Sequence, residues 1–331
     1  MREQTFVSLV LYAHNDEDDI AAAMQAVDAF ACQTFQNYEI VIVNDCSTDG
    51  TQQIVRDTVK NLLGQTFVIN LARKHGIELA MMAGLNKAMG DYVYEIETVS
   101  FDFSLDILRN MYVESKRGFD IVCASPGTTS LYSKLFYKVI NKYSYLELSL
   151  YSETVRLVSR RALNAMLNLK EKVRYRKALY AYTGYSKSKI DYVGIPTDGS
   201  KRRKLNRENI SMALDVIVSF SNVGLKMSHL IASAFFIFSI GMAIYALYNY
   251  IFNRDVVEGW TTLMILISMG FAGMFFTTGV VGEYISRMLI ELQNRPYYIT
   301  SSVEIYKEKN QQKGMLYGDF NHEAAAAKAN E

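Results

Sequence analysis

A doubly wound, mostly parallel α/β sheet, followed by an amphipathic interface helix and two transmembrane helices, is the fold class that this 331-residue chain predicts. Three observations predict it. Short β-rich runs alternate with helix-length stretches from Phe6 to Ala124, the pattern of strand–helix units in a parallel sheet. A basic run, Lys201-Arg202-Arg203-Lys204 with Arg207, precedes an apolar stripe of helical spacing. Two long uncharged apolar runs then follow, Leu230–Phe252 and Thr261–Val281.

The elements follow in order. Phe6–Tyr12 is the first strand, and the polar loop Ala13–Asp19 opens a helix over Ile20–Phe30. Tyr38–Val43 is the second strand, and Gln52–Leu63 the next helix. Thr66–Leu71 is the third strand, followed by Arg73-Lys74-His75-Gly76 and a helix through Met89. Tyr92–Ile96, a helix over Leu105–Ser115 and the short strand Asp120–Ala124 complete this half. Val155–Val158 and Lys189–Val193 read as further strands, with helices near Arg161–Leu169 and Val173–Tyr180. Between them, Ser130–Tyr151 interleaves aromatic residues with Lys134, Lys138 and Lys142, which suits either an ordinary surface helix or one lying near lipid headgroups.

Ile210, Ala213, Leu214, Ile217 and Phe220 form one stripe of a helix directly behind the basic run, as an interfacial membrane segment requires. In the second apolar run, Gly270, Gly273 and Gly279 permit close helix packing and leave self-association open. Basic residues flank the pair of runs, which places both chain ends on the cytoplasmic side. The expected domains are a cytoplasmic α/β domain at 1–206, the interface helix at 207–227, a two-helix membrane hairpin at 228–284 and a C-terminal tail at 285–331. A net charge of +1 gives no basis for a nucleic-acid partner. Three separated cysteines, Cys32, Cys46 and Cys123, fit reduced thiols and show no metal-ligand spacing.

The most informative stretch is Ile40–Thr51, IVIVNDCSTDGT. An apolar strand ends abruptly in Asn44 and Asp45, where open α/β sheets bind ligands. Ser47 or Thr48 is placed to cap the next helix, whose N–H groups favour an anion. The same residues equally suit a capped strand-to-helix turn that holds no ligand.

VNDCSTDGT (Val43–Thr51), ARKHGIELAMMAGLNKAMGDYV (Ala72–Val93), RLVSRRAL (Arg156–Leu163) and GEYISRMLIELQNRPYYI (Gly282–Ile299) occur in this order. Together they resemble family 2 glycosyltransferases of the GT-A, Rossmann-like fold, and more narrowly the polyprenyl-phosphate glycosyltransferases that include dolichol-phosphate mannose synthases and two-span bacterial members. The resemblance implies transfer of a sugar from a nucleotide-sugar to a polyprenyl phosphate, such as undecaprenyl phosphate, at the bacterial inner membrane. It also implies Mg²⁺ or Mn²⁺ held by a D-x-D motif against the leaving diphosphate.

Carried over residue by residue, the resemblance places Asn15, Asp16, Asn44, Asp45 and Arg73 at the nucleotide. Asn44, standing where the family has an aspartate, leans toward a uridine donor. Arg156, Lys201 and Arg202 become candidates for the lipid phosphate. The family's D-x-D-L-Q-D is here Glu97-Thr98-Val99-Ser100-Phe101-Asp102. Glu97 and Asp102 remain as metal or catalytic carboxylates, while Val99 replaces a usual ligand. The family's base position is Thr154, with Glu153 adjacent as the substitute. His75, at a usually aromatic position, reads as a packing substitute. So many substitutions at polar positions keep a second reading open: a catalytically silent protein of this fold, binding a partner in glycan assembly.

Overall fold

The computed structural model describes residues 2–126, 153–169, 175–194, 259–292 and 296–306, with scattered positions between 230 and 248. The chain divides into two compact units. The first comprises 1–137, 148–204 and 296–331, and the second comprises 138–147 and 205–295.

The first unit is built on an eight-stranded mixed sheet in the order β7-β5-β6-β4-β1-β2-β3-β8. Its elements in chain order are β1 (Val7–Ala13), α1 (Ile20–Thr34), β2 (Tyr38–Asn44), α2 (Thr51–Val59), β3 (Gln65–Leu71), α3 (Ile77–Lys87), β4 (Tyr92–Ile96), α4 (Asp106–Ser115), β5 (Ile121–Pro126), β6 (Val155–Ser159), α5 (Arg160–Leu167), α6 (Arg176–Tyr182), β7 (Lys187–Tyr192) and β8 (Thr300–Tyr306). The parallel block β4-β1-β2-β3 follows from the alternation read in the sequence, since each crossover carries a helix. Leu9, Leu11, Ile40 and Ile42 are fully buried, as strands covered on both faces require. On α3, a Cβ at Gly84 would come within 2.4 Å of Val10 Cγ1, so the missing side chain lets this helix lie close on the sheet.

Two strands depart from the expected parallel order. β6 inserts antiparallel between β4 and β5, and β8 pairs antiparallel with β3. The sheet is therefore mixed. Residues 300–306, expected in a tail, form an edge strand of the first unit, so the proposed boundary at 285 divides a chain that returns to its own sheet.

In the second unit the long helix α7 spans Trp260–Leu292. It exposes Phe271, Met274 and Phe275, and a Cβ at Gly273 would lie 2.5 Å from the Phe235 ring, so the missing side chain makes room for that ring. Among the described residues, no helix is long and apolar enough to cross a membrane. Much of the first expected span and several side chains of the second lie outside the described residues. The aromatic–basic stretch 130–151, the basic run 201–207 and the interface helix 207–227 lie outside them as well.

Candidate functional site

The carboxyl ends of β1, β2, β3 and β4 share one edge of the sheet, and the loops leaving them carry most of the residues selected from sequence. The β1 and β2 loops are tied directly together. Asn15 and Cys46 both adopt a φ of 54°. Asn15 Oδ1 accepts the Thr48 N–H at 2.8 Å, and Asn15 N–H donates to Ser47 Oγ at 3.1 Å. Asp16 N–H donates to Thr51 Oγ1 at 2.8 Å, while the Asp16 carboxylate accepts the His14 N–H at 2.9 Å.

The expected cap of α2 by Ser47 or Thr48 is not made. The helix begins after Gly50, whose N–H goes to Glu17 Oε2 at 2.8 Å, and Thr51 N–H goes to Asp49 Oδ1 at 3.1 Å. An anion seat at this helix start is thus filled by the chain's own carboxylates. Burial works to raise the Asp49 pKa, but hydrogen bonds from the Thr51 hydroxyl and from backbone N–H groups outweigh it and hold the carboxyl below its ordinary value.

Asp45 is fully buried. Its Oδ1 accepts the His75 N–H at 2.7 Å, and its Oδ2 accepts the Gly76 N–H at 2.8 Å and the Tyr12 hydroxyl at 3.2 Å. The carboxylate therefore anchors the start of α3, where the helix dipole favours a negative charge. Asn44 is also buried. Its amide donates to Asn70 Oδ1 at 2.9 Å, and its carbonyl takes the Ser47 N–H at 3.1 Å and the Ser47 hydroxyl at 2.6 Å. Asn70 passes the ladder on to Ser302 Oγ at 3.0 Å. With its polar atoms occupied in this way, Asn44 does not present a free acceptor to a base, and the uridine preference drawn from it loses its basis. Arg73, on the β3–α3 loop, is exposed.

His75 connects backbone to backbone. Its Nδ1 lies 2.6 Å from Arg73 O, and its Nε2 accepts the Ile299 N–H at 3.3 Å. The tautomer protonated at Nδ1 satisfies both. The ring joins the β3–α3 loop to the segment entering β8, in keeping with a structural role.

At the end of β4 lies a buried ionic cluster. Glu95 is fully buried in the middle of the sheet. Its Oε2 receives Arg156 Nη1 at 2.9 Å and also Arg176 Nη1, and its Oε1 receives the Tyr180 hydroxyl. Arg176, also fully buried, donates Nε to Glu78 Oε2 at 2.9 Å and Nη2 to Glu97 Oε1 at 2.9 Å. Arg156 donates its remaining Nη2 to Glu153 and lies 4.9 Å from the Tyr180 ring centroid. One guanidinium bridging three carboxylates repays the desolvation of all four groups only because every partner is in place.

This geometry bears on three assignments. Arg156 is 2% exposed and lies between Glu95 and Glu153, so it offers no surface contact to a lipid phosphate. Glu153 is 2% exposed. Burial raises its pKa, but Arg156, with Lys187 and Lys177, overrides this and holds it at about 2, which makes it a poor proton acceptor. Thr154, at the family's base position, has its Oγ1 2.7 Å from the Tyr192 hydroxyl, which donates to Asp102 Oδ1 at 2.9 Å. Lys201 and Arg202 lie outside the described residues.

Among the described residues, the carboxylates expected to hold a divalent metal are already engaged. Glu97 is committed to a guanidinium, and Val99 is 4% exposed within the hydrophobic core. Asp102 is held by Tyr192. Among the described residues, no three His, Cys, Asp or Glu side chains converge on a point a metal could occupy.

Sequence reasoning missed Arg176, Glu95, Glu78, Tyr180 and Tyr192. Glu95 carried a readable signal, since a carboxylate inside the apolar strand YVYEI requires a buried partner. Which cation met it could not be read from local pattern.

The sequence pattern described as glycosyl transferase family 2 matches residues 8–97, which run from β1 through β4. An uncharacterized glycosyltransferase of Synechocystis sp. is 28% identical over 304 residues, spanning 90% of this chain and 95% of that protein. The SfII prophage-derived bactoprenol glucosyl transferase of Shigella flexneri is 28% identical over 306 residues, spanning 88% and 96%. Among solved structures, mannosyl-3-phosphoglycerate synthase from Rubrobacter xylanophilus is similar with a TM-score of 0.47 and 19% identity over 64% of this chain and 72% of that one.

Proposed function

We propose that this chain, whose residues 8–97 match the glycosyl transferase family 2 pattern, moves a sugar from a nucleotide-sugar to a polyprenyl phosphate at a bacterial inner membrane. The observation that carries the reading is the end-to-end similarity to a bactoprenol glucosyl transferase, which extends well beyond the family domain into the apolar C-terminal half.

The acceptor phosphate oxygen is already an anion. It attacks the anomeric carbon, the bond from that carbon to the diphosphate oxygen breaks, and the nucleoside diphosphate leaves with the electron pair. No strong base is needed, which accords with a Glu153 too acidic to serve as one. The difficult task is holding the leaving diphosphate. Exposed Arg73 at the strand ends is suited to meet it, and Asn15, also exposed, lines the same edge.

Membrane attachment rests on the two uncharged runs and on the apolar side chains Phe271 and Phe275 exposed along α7. Lys201 and Arg202 take the lipid-phosphate role, and the basic flanks support a sheet domain on the cytoplasmic side. Transfer is tested by incubating the full chain in nanodiscs with undecaprenyl phosphate and a panel of nucleotide-sugars, reading glycosylated lipid by mass spectrometry. A sugar-bearing lipid phosphate from one donor supports the reading, and no product from any donor sinks it.

A second reading has its own observation. The acid–guanidinium closure at Glu97 and the buried Val99 remove the usual metal seat, as a silent scaffold of this fold would tolerate. Absence of product together with absence of nucleotide binding favours it.

A further inference from the structure

We propose that this protein binds its nucleoside diphosphate without a divalent cation, with the Arg73 guanidinium supplying the positive charge. The inference rests on the transferase reading above.

Glu97 is the first carboxylate past the end of β4. To serve as a metal ligand its carboxylate would have to be available to a cation. Here Oε1 lies 2.9 Å from Arg176 Nη2, and that guanidinium is fully buried and shared with Glu78 and Glu95. Moving Glu97 onto a metal would leave Nη2 of a fully buried guanidinium without that acceptor, while Glu78 and Glu95 are already engaged at Nε and Nη1. Two residues on, a ligand is missing outright: Val99 packs in the same apolar cluster as Ile96 and Phe103. The next carboxylate, Asp102, is tied through Tyr192 to Thr154. A divalent ion placed here would keep at most one protein carboxylate, the lower limit for an ion that otherwise rests on substrate phosphates and water. Arg176 satisfies the charge of Glu97 from within the protein but is closed to ligand on every side.

A diphosphate arriving at the strand ends still needs positive charge. Arg73 is exposed on the loop whose next residues, His75 and Gly76, are fixed by Asp45. That anchoring gives Arg73 a defined backbone position at the same sheet edge.

The test uses the purified full chain with UDP, GDP and CDP, each in EDTA and in Mn²⁺. Thermal melting reports binding, and the electron paramagnetic signal of free Mn²⁺ reports metal uptake. The expected result is that one nucleotide raises the melting temperature equally in EDTA and in Mn²⁺, that free Mn²⁺ is unchanged when that nucleotide and protein are combined beyond what nucleotide alone takes up, and that Arg73→Ala weakens the nucleotide about 10- to 100-fold. A shift that needs Mn²⁺, with matching metal uptake by the complex, overturns the inference and leaves the transferase reading standing. Unchanged affinity in Arg73→Ala overturns the assignment of the charge to Arg73. No shift with any nucleotide under either condition overturns both the inference and the nucleotide-sugar reading.

Discussion

Arg56 on α2 and Glu304 on β8, 248 positions apart in the chain, meet with Nη2 and Oε1 separated by 2.6 Å. The contact seals the sheet edge where the chain, after the long helix, returns to its first unit. Glu304 also accepts from Asn70 at 3.3 Å and from Tyr306 at 2.6 Å, so one buried carboxylate links β3, β8 and α2. Burial tends to raise its pKa, yet Arg56, Tyr306 and Asn70 together hold it below the ordinary value.

Glu304→Ala removes that hub and leaves Asn70 short of an acceptor. A loss of about 1–3 kcal/mol is expected, read as a lower melting temperature and faster hydrogen exchange across 300–306. Arg56→Ala costs less, about 1 kcal/mol at most, because its side chain is 41% exposed and screened by water. Equal losses from the two variants would contradict this asymmetry.

Arg176→Met deletes the cation shared by Glu78, Glu95 and Glu97, leaving Glu95 with Arg156 and Tyr180. It should cost about 3–5 kcal/mol, as removing one partner of a buried ion cluster does. Glu97→Gln keeps an acceptor for Arg176 and should cost about 1 kcal/mol. Chemical denaturation of both variants in the same detergent compares them directly.

His75→Phe keeps the ring volume but deletes the bonds to Arg73 O and from Ile299 N–H. The expected loss is about 1–2 kcal/mol. Its specific sign is faster exchange of the Ile299 amide with little change at β1. Protection of Ile299 equal to the parent would show that the ring does not hold this segment.

Glu153 gives a pH signature. Its folded pKa of about 2 lies below the ~4.3 of an unfolded glutamate. The charged group therefore contributes stability that is fully present above ~4.3 and is lost as pH falls toward the folded value. Its size is on the order of 3 kcal/mol. In Glu153→Gln that part of the acid limb should flatten, so the stability gap from the parent narrows steadily as pH drops below ~4.3 and closes near 2. Acid unfolding followed by circular dichroism measures it, and a gap that stays constant down to the lowest pH would refute the assignment.

Much was legible in the sequence because the signals are local. Apolar runs such as Ile40–Val43 and the polar breaks after them mark strand and helix, and the observed β1, β2, β3 and β4 fall within a residue or two of their expected places. The motifs from Val43 to Val93 likewise pointed to the family whose pattern matches residues 8–97. Val99 as a lost ligand was also readable, since valine has no donor atom. What tertiary structure alone decided was partnership. Whether Glu97 faces a metal or Arg176, whether Asn44 reads a base or joins Asn70, and whether Thr300–Tyr306 trails away or pairs with β3 all depend on residues brought together across tens to hundreds of positions. Backbone periodicity is written in neighbouring side chains, whereas the pairing of buried charges is set by which strands lie side by side, and that is a property of the folded sheet.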